Sequence, residues 1–449
     1  MSTPSEFRVI TRHAGTVLVG QVAVMAFGLA DTVVAGRYAD SALAALSVGS
    51  AVFISVFVAL LGVMQALLPV WAELHGSGRQ AQVGVSVRQS LYLCAVTIVT
   101  GLLILLNPGP VLEWTRVPEA LRPEVEAYLG VLALALPPAL LFRMFSTLNQ
   151  SLGKPRLVTW LQIGSLFVKV PLSIWFTFGG FGLPAGGVVG CAWATLVVNY
   201  LMFGTALWLL RTQVLYRPYQ LWRRMERPDW PALGQFARMG VPGGLAIMVE
   251  VTSFTLMALF IARMGTTASA AHQIAANMAG LLYMVPLSLG IAASARVSFW
   301  LGAGDATHAR LALATGLRLT MGIAVVLAAA MFLLRAPLAS LYSGNPAVVA
   351  MASGLLAWAA LYHVADAMQA ICVFLLRCYR VTIAPLVVYC VLLWGLGLAG
   401  GYVLAYGGAG IEPWRGDAAT FWISSAVALW ITGLAFLALL RRASVQRHN

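Results

Sequence analysis

The sequence predicts an all-α polytopic membrane protein, with twelve transmembrane helices in two six-helix lobes related by pseudo-two-fold symmetry along the membrane normal. Three observations predict it. Of 449 residues, 60% are hydrophobic and 10% charged, and the mean hydropathy is +0.86, more apolar surface than a soluble fold of this size has use for. Apolar runs of about twenty-three residues or more recur between short polar breaks, which is the spacing of membrane helices. Short strings of the first half also return in the second at one constant separation. A membrane barrel would instead show alternating strands of about ten residues.

The runs follow in order. The first, roughly 14–36, holds Asp31 in VAVMAFGLADTVVAG. It is read as a span and not as a cleaved leader, because it is long and runs into a second span without a small-residue cleavage site. The second, roughly 42–71, opens in GRYADSALAALSVG and is separated by HGSGR at 75–79 from the third, roughly 84–106. Glu113, Glu119, Glu124 and Glu126 mark the break around the start of the fourth, roughly 126–150, which contains Pro137 and Pro138. The fifth, roughly 157–178, carries Lys169, Pro171 and Ser173 in KVPLS. Glycine-rich GLPAGGVVGCAWAT leads into the sixth, roughly 187–211.

A charged linker then divides the chain, giving an N-terminal lobe at 1–212, a linker at 213–230 and a C-terminal lobe at 231–449. The seventh run, roughly 236–262, holds Pro242 and Glu250, and the eighth, roughly 269–299, holds His272, Gln273, Tyr283 and Pro286. The ninth is roughly 309–334. The tenth, roughly 348–376, holds His363 and Asp366 in AALYHVADAMQAICVF. The eleventh, roughly 382–406, contains Pro385, and the twelfth, roughly 418–440, stops before Arg441 and Arg442. Proline inside such runs bends a helix and frees carbonyls; Pro171, between Lys169 and Ser173, is the one given a place at a site.

The repeat fixes the symmetry. GRYADSALAALSVG overlays ARMGTTASAAHQIA at a separation of 226 residues, that of Gly36 and Ala262, and HGSGR overlays LGAGD at the same separation. Six spans return the chain to its starting side, so the two halves are parallel repeats with a cavity expected between them.

The formal net charge of +13 does not point to nucleic acid. Counted from a cytoplasmic N-terminus, nineteen basic residues fall on inner loops, including the linker's Arg211, Arg217, Arg223, Arg224 and Arg227. Six fall outside: Arg37, Arg116, Arg122, Arg263, Arg335 and Arg415. Glu412 and Asp417 join the outer acids, while Arg447 counts inside. This is the positive-inside pattern with both termini cytoplasmic.

Three carboxylates, Asp31, Glu250 and Asp366, lie in stretches otherwise apolar enough to span. Such groups are costly at membrane depth and usually face a water-filled path where they bind or carry an ion. At the repeat separation Asp31 meets Met257, Val24 meets Glu250 and Leu140 meets Asp366, so each charge belongs to one lobe only. Glu250 and Asp366, on the first and fourth spans of the second lobe, can converge in one site. Cys94, Cys191, Cys372, Cys378 and Cys390 have no metal-ligand spacing and read as packing residues. There is no G-x-x-x-x-G-K-[ST] loop and no hydrolase nucleophile with its partners, so neither ATP-driven transport by this chain nor catalysis is expected.

ADTVVAG, LNQSLGKPR, GLPAGGVVGCAWAT, IMVEVTSF and AAHQIAANMAGLLYMVPLSLGIAASARVSFWLGAG run in order along nearly the whole chain. Together they resemble the multidrug and toxic compound extrusion (MATE) family, in its bacterial NorM-like branch. The resemblance implies an antiporter of the bacterial inner membrane that expels amphipathic, mostly cationic, small drugs on a proton or sodium gradient, with no cofactor. It implies cation or proton coupling by Asp31, Glu250 and Asp366, a monovalent cation at Glu250 and Asp366, and support from Gln273 and Tyr283. Small drugs and membrane lipids are the expected partners, and a monomer the working unit. A lipid or lipid-linked oligosaccharide flippase of related architecture and a passive channel are the alternatives.

One departure stands out. Where the family usually reads N-x-P-L-N in the fifth span, this chain reads KVPLS, with Lys169 and Ser173 in place of the asparagines. Only two lysines occur in the chain. Lys169 either faces Asp31, which would compensate its charge, or snorkels to an interface. His272 and His363 read as titrating groups or, more plainly, as polar packing.

Overall fold

The computed structural model describes residues 5–114, 118–180, 182–407, 413–414 and 416–446. Arg116, Glu412, Arg415 and Arg447, which enter the charge bias, lie outside the described residues. Among the described residues, twelve helices are long and apolar enough to cross a membrane. They are α1 Glu6–Tyr38, α2 Asp40–Gly76, α3 Gln80–Leu105, α4 Arg122–Ser151, α5 Arg156–Phe178 and α6 Gly187–Thr212. After the linker come α7 Trp230–Ala262, α8 Thr266–Gly302, α9 Ala306–Leu333, α10 Pro346–Cys378, α11 Ile383–Tyr406 and α12 Ala418–Gln446.

Local chemistry sets the interruptions. Within α2 a turn at 66–67 precedes Pro69, whose ring supplies no main-chain donor to continue the ladder. Gly179 ends α5 at φ 77°, where a β-carbon would sit 2.8 Å from the Leu183 carbonyl oxygen. At Gly190 a β-carbon would lie 2.4 Å from the Phe176 carbonyl, so only glycine lets α6 approach α5 this closely. Large apolar side chains such as Trp160, Phe167, Leu259 and Val326 remain exposed on the helices, a surface suited to lipid.

By packing, the chain forms two compact units: residues 16–244, and residues 1–15 with 245–449. In the first, α4 packs against α2, α3 and α6; in the second, α10 packs against α8, α9 and α12. The fourth helix of each half thus holds the same central place, as a repeat requires. The packing limits fall inside α1 and α7 and not at the linker. Ile10 and Ala14 of α1 bury against Leu289 and Ala292 of α8, and Glu6 pairs with Arg296 at 2.7 Å. Phe236 of α7 joins the core of the first unit, and a β-carbon at Gly244 would lie 2.4 Å from the Ala59 carbonyl oxygen of α2. The division at 213–230 remains our proposal for the repeat, whereas packing assigns the first turns of α1 and α7 by the side chains they bury.

The linker is docked firmly. Arg88 of α3 donates to the Glu226 carboxylate and, at 2.6 Å, to the Gln220 carbonyl. Gln89 takes the Arg227 carbonyl at 2.9 Å and accepts from the Asp229 amide at 3.0 Å. Tyr216, in the 3₁₀ turn Val214–Tyr219, donates to Asn149 at 2.7 Å.

Candidate functional site

Among the described residues, each unit holds a polar constellation within its spans. In residues 16–244, α1 presents Asp31 and α5 presents Lys169 and Ser173, all with less than a tenth of their surface exposed. The Lys169 ammonium lies 2.7 and 2.9 Å from the two Asp31 oxygens, 2.9 Å from Ser173 Oγ and 3.0 Å from the Cys191 carbonyl oxygen. Ser173 in turn donates to Asp31 Oδ1 at 2.9 Å. Lys169 and Ser173 are four residues apart and so share a face of α5. The close approach at Gly190 brings the neighbouring Cys191 carbonyl within reach. Pro171, half a turn away, is exposed on the other side of α5 and does not touch the pair. Lys169 therefore faces its carboxylate and does not snorkel. A buried charge pair of this kind stands only because both ions are matched and hydrogen-bonded.

In the other unit, α7 presents Glu250 and α10 presents Asp366. One neutral amide bridges them: Gln369 donates to Glu250 Oε1 at 3.0 Å and to Asp366 Oδ1 at 2.9 Å. Tyr389 of α11 donates to the Gln369 oxygen, which fixes the amide so that both N–H groups point at carboxylates. Among the described residues neither carboxylate has a salt-bridge partner. Arg377, on the same helix as Asp366, holds its guanidinium 5.0 Å over Phe374. Tyr283 is half-buried on α8. Gln273, expected here as a neutral oxygen, is instead exposed on α8 and bonds Asn277 at 3.0 Å. Gln369 stands beside the carboxylates in its stead, with its N–H groups and not its oxygen toward them.

A cavity of about 20 Å³ adjoins Glu250, lined also by Ser253, Phe254, Tyr362 and Gly397. It has room for a single water-sized species. The wall at Leu393 and Gly397 belongs to a π-helical stretch of α11, Cys390–Ala399, and such wide turns leave carbonyls free of the regular ladder. Ser424 of α12 takes two of them, Leu396 and Gly397, at 2.8 and 2.9 Å. His272 packs among Phe254 and Trp422, and among the described residues neither it nor His363 has a side-chain hydrogen-bond partner. Sequence reasoning missed Gln369 and Tyr389. Gln369 was visible as the amide one helical turn beyond Asp366, whereas Tyr389 reaches the site only through tertiary packing.

Twelve apolar spans in a packed repeat, with carboxylates held within three of them, are the build of a polytopic membrane transporter. The MatE family model matches residues 17–175 and again 242–403. The chain is 37% identical to a probable multidrug resistance protein NorM of Aromatoleum aromaticum over 96% of this chain and 92% of that one. It is 33% identical to a NorM of Neisseria meningitidis serogroup B over 99% and 96%, and 34% identical to the multidrug resistance protein PmpM of Pseudomonas aeruginosa over 91% and 85%. The fold is that of the eukaryotic MATE transporter AtDTX14 (TM-score 0.86, 19% identity, 98% of both chains). It is equally that of the Vibrio cholerae MATE transporter VcmN in its bent form (TM-score 0.85, 17% identity, 98% and 97%). The chain belongs to the MATE family, in its NorM-like branch, and is a multidrug efflux transporter and not an enzyme.

Among the described residues no three His, Cys, Asp or Glu side chains cluster as metal ligands.

Proposed function

We propose that this transporter exports amphipathic, mostly cationic, small compounds across the bacterial inner membrane in exchange for protons, sodium ions or both, as a monomer with cytoplasmic termini. The Glu250–Gln369–Asp366 bridge carries the reading. A buried carboxylate, Asp366, and a half-buried one, Glu250, held by one neutral amide repel each other when both are ionised, and gaining a proton or a small cation relieves that repulsion. The small cavity at Glu250 gives such a species a place. If its binding is thermodynamically linked to that of the cargo, the result is exchange. The multidrug names of the relatives support the cargo class.

Asp31 and Lys169 add a proton-responsive element. The ammonium supplies the positive charge at Asp31 that sodium would otherwise bring, and so repels sodium from that carboxylate. Protonating Asp31 leaves Lys169 buried without a counter-charge, which favours opening of the pair. Proton coupling is therefore stronger here than an asparagine-based site would give. The test is dye transport in proteoliposomes with sodium and proton gradients imposed separately, for the wild type and Lys169→Asn. The wild type is expected to respond to the proton gradient, and Lys169→Asn to respond less. Robust sodium-driven transport by the wild type with no response to protons refutes the proton reading.

A further inference from the structure

We propose that residues 16–244 carry a binding site for one anionic phospholipid of the leaflet that meets the linker, apart from both carboxylate sites and independent of the transport reading. A cavity of about 170 Å³ lies between α3 and α6, floored by α4 and closed at one end by the linker. Leu91, Met144, Phe145, Ala206, Leu207 and Trp222 line it. On α6 the wall runs from Phe203 to Leu210, about 10 Å at the rise of an α-helix. A dry apolar void of this size takes up hydrocarbon, and its shape along the helices suits part of an acyl chain.

Its mouth has the opposite character. The one charged residue in the lining, Arg88, is occupied by Glu226 and by the Gln220 carbonyl. At this end of the unit Arg211, in the last turn of α6, and the linker's Arg217, Arg223, Arg224 and Arg227 are exposed. The Arg211 guanidinium lies 5.6 Å over the Trp222 ring, the same ring that closes the cavity, and Trp222 and Trp230 are both exposed. Of the two acids of this segment, Glu226 is paired with Arg88 and Asp229 accepts from the Ala232 amide at 3.2 Å, which leaves one carboxylate against five exposed arginines. Exposed tryptophan beside arginine at the end of spans is the signature of an anionic lipid surface. An apolar slot under a net cationic rim selects a ligand with a hydrocarbon tail and a negative head. The amphipathic cations proposed as cargo have the tail but are repelled by the rim.

The experiment is native mass spectrometry of the purified full-length chain with phosphatidylglycerol and phosphatidylcholine at equal concentration. The wild type is expected to retain one phosphatidylglycerol about tenfold in preference to phosphatidylcholine, since each arginine near the surface adds attraction for an anionic head. Ala206→Phe fills the slot and should abolish retention. Leu207→Trp, at the exposed edge of the same wall, does so with less strain on packing, and unchanged thermal melting shows that the fold is kept. Arg211→Ala/Arg223→Ala/Arg224→Ala should hold both lipids equally. Equal retention of the two lipids by the wild type overturns the proposal. So does undiminished phosphatidylglycerol binding by a folded Leu207→Trp, or displacement of the lipid by the organic cation tetraphenylphosphonium.

Discussion

Lys169 concentrates the chemistry of its unit on one atom. Its ammonium has four oxygens within 3.0 Å, two from Asp31, one from Ser173 and one from the Cys191 main chain. The rarity of lysine in the chain and its place in KVPLS made the pairing with Asp31 legible in advance. The Cys191 carbonyl was not legible, because a main-chain acceptor leaves no trace in residue type. The two glutamines teach the same point: Gln273 was favoured by resemblance, but its face of α8 points away, whereas Gln369 lies a turn from Asp366 and makes the bridge. Replacing Lys169 by alanine strands Asp31 without its buried partner, a loss of about 3–5 kcal/mol. Lys169→Ala should therefore melt well below the wild type in detergent. The double variant Asp31→Asn/Lys169→Ala should recover part of the loss, because no charge is left unpaired. Strictly additive losses would show that the pair contributes no coupling.

At the scale of elements, the spans were readable because apolar length alone identifies them. Their starts were not. α1 begins at Glu6 and α7 at Trp230, ahead of the apolar runs, because polar first turns are stabilised by packing and ion pairs that hydropathy does not register. The linker is the clearest case: the sequence shows a charged divider, and the structure shows a segment held on α3 through Arg88 and Glu226. The hydrogen bond from Arg88 is the main cause that holds the Glu226 carboxyl below its ordinary value of 4.5. A lowered value in the folded protein means that this docking is fully present above the unfolded pKa and is lost as pH falls through the folded one. Between about pH 6 and 8 the linker should thus be equally protected from trypsin, whose sites Arg223 and Arg224 are exposed. At those pH values Glu226→Gln should be cut at Arg223 and Arg224 several times faster than the wild type. Equal cleavage of variant and wild type would show that the ion pair does not hold the linker.

At the scale of the whole molecule, a duplicated frame carries unduplicated charges. The family model matches twice, from residue 17 and from residue 242, close to the separation that the short strings gave. Yet one unit holds a closed ion pair and the other a pair of carboxylates joined by an amide. The closed pair is matched within itself, so our proposal places the coupling ion at Glu250 and Asp366. The most direct measurement is gradient-driven dye transport in proteoliposomes by the wild type, Glu250→Gln and Asp366→Asn at equal protein levels, beside gradient-free exchange of the same dye. Gradient-driven transport should fall at least about tenfold in each variant, the scale of one lost charged interaction, with exchange retained. Wild-type gradient-driven rates in both variants would contradict the assignment of coupling to these two carboxylates.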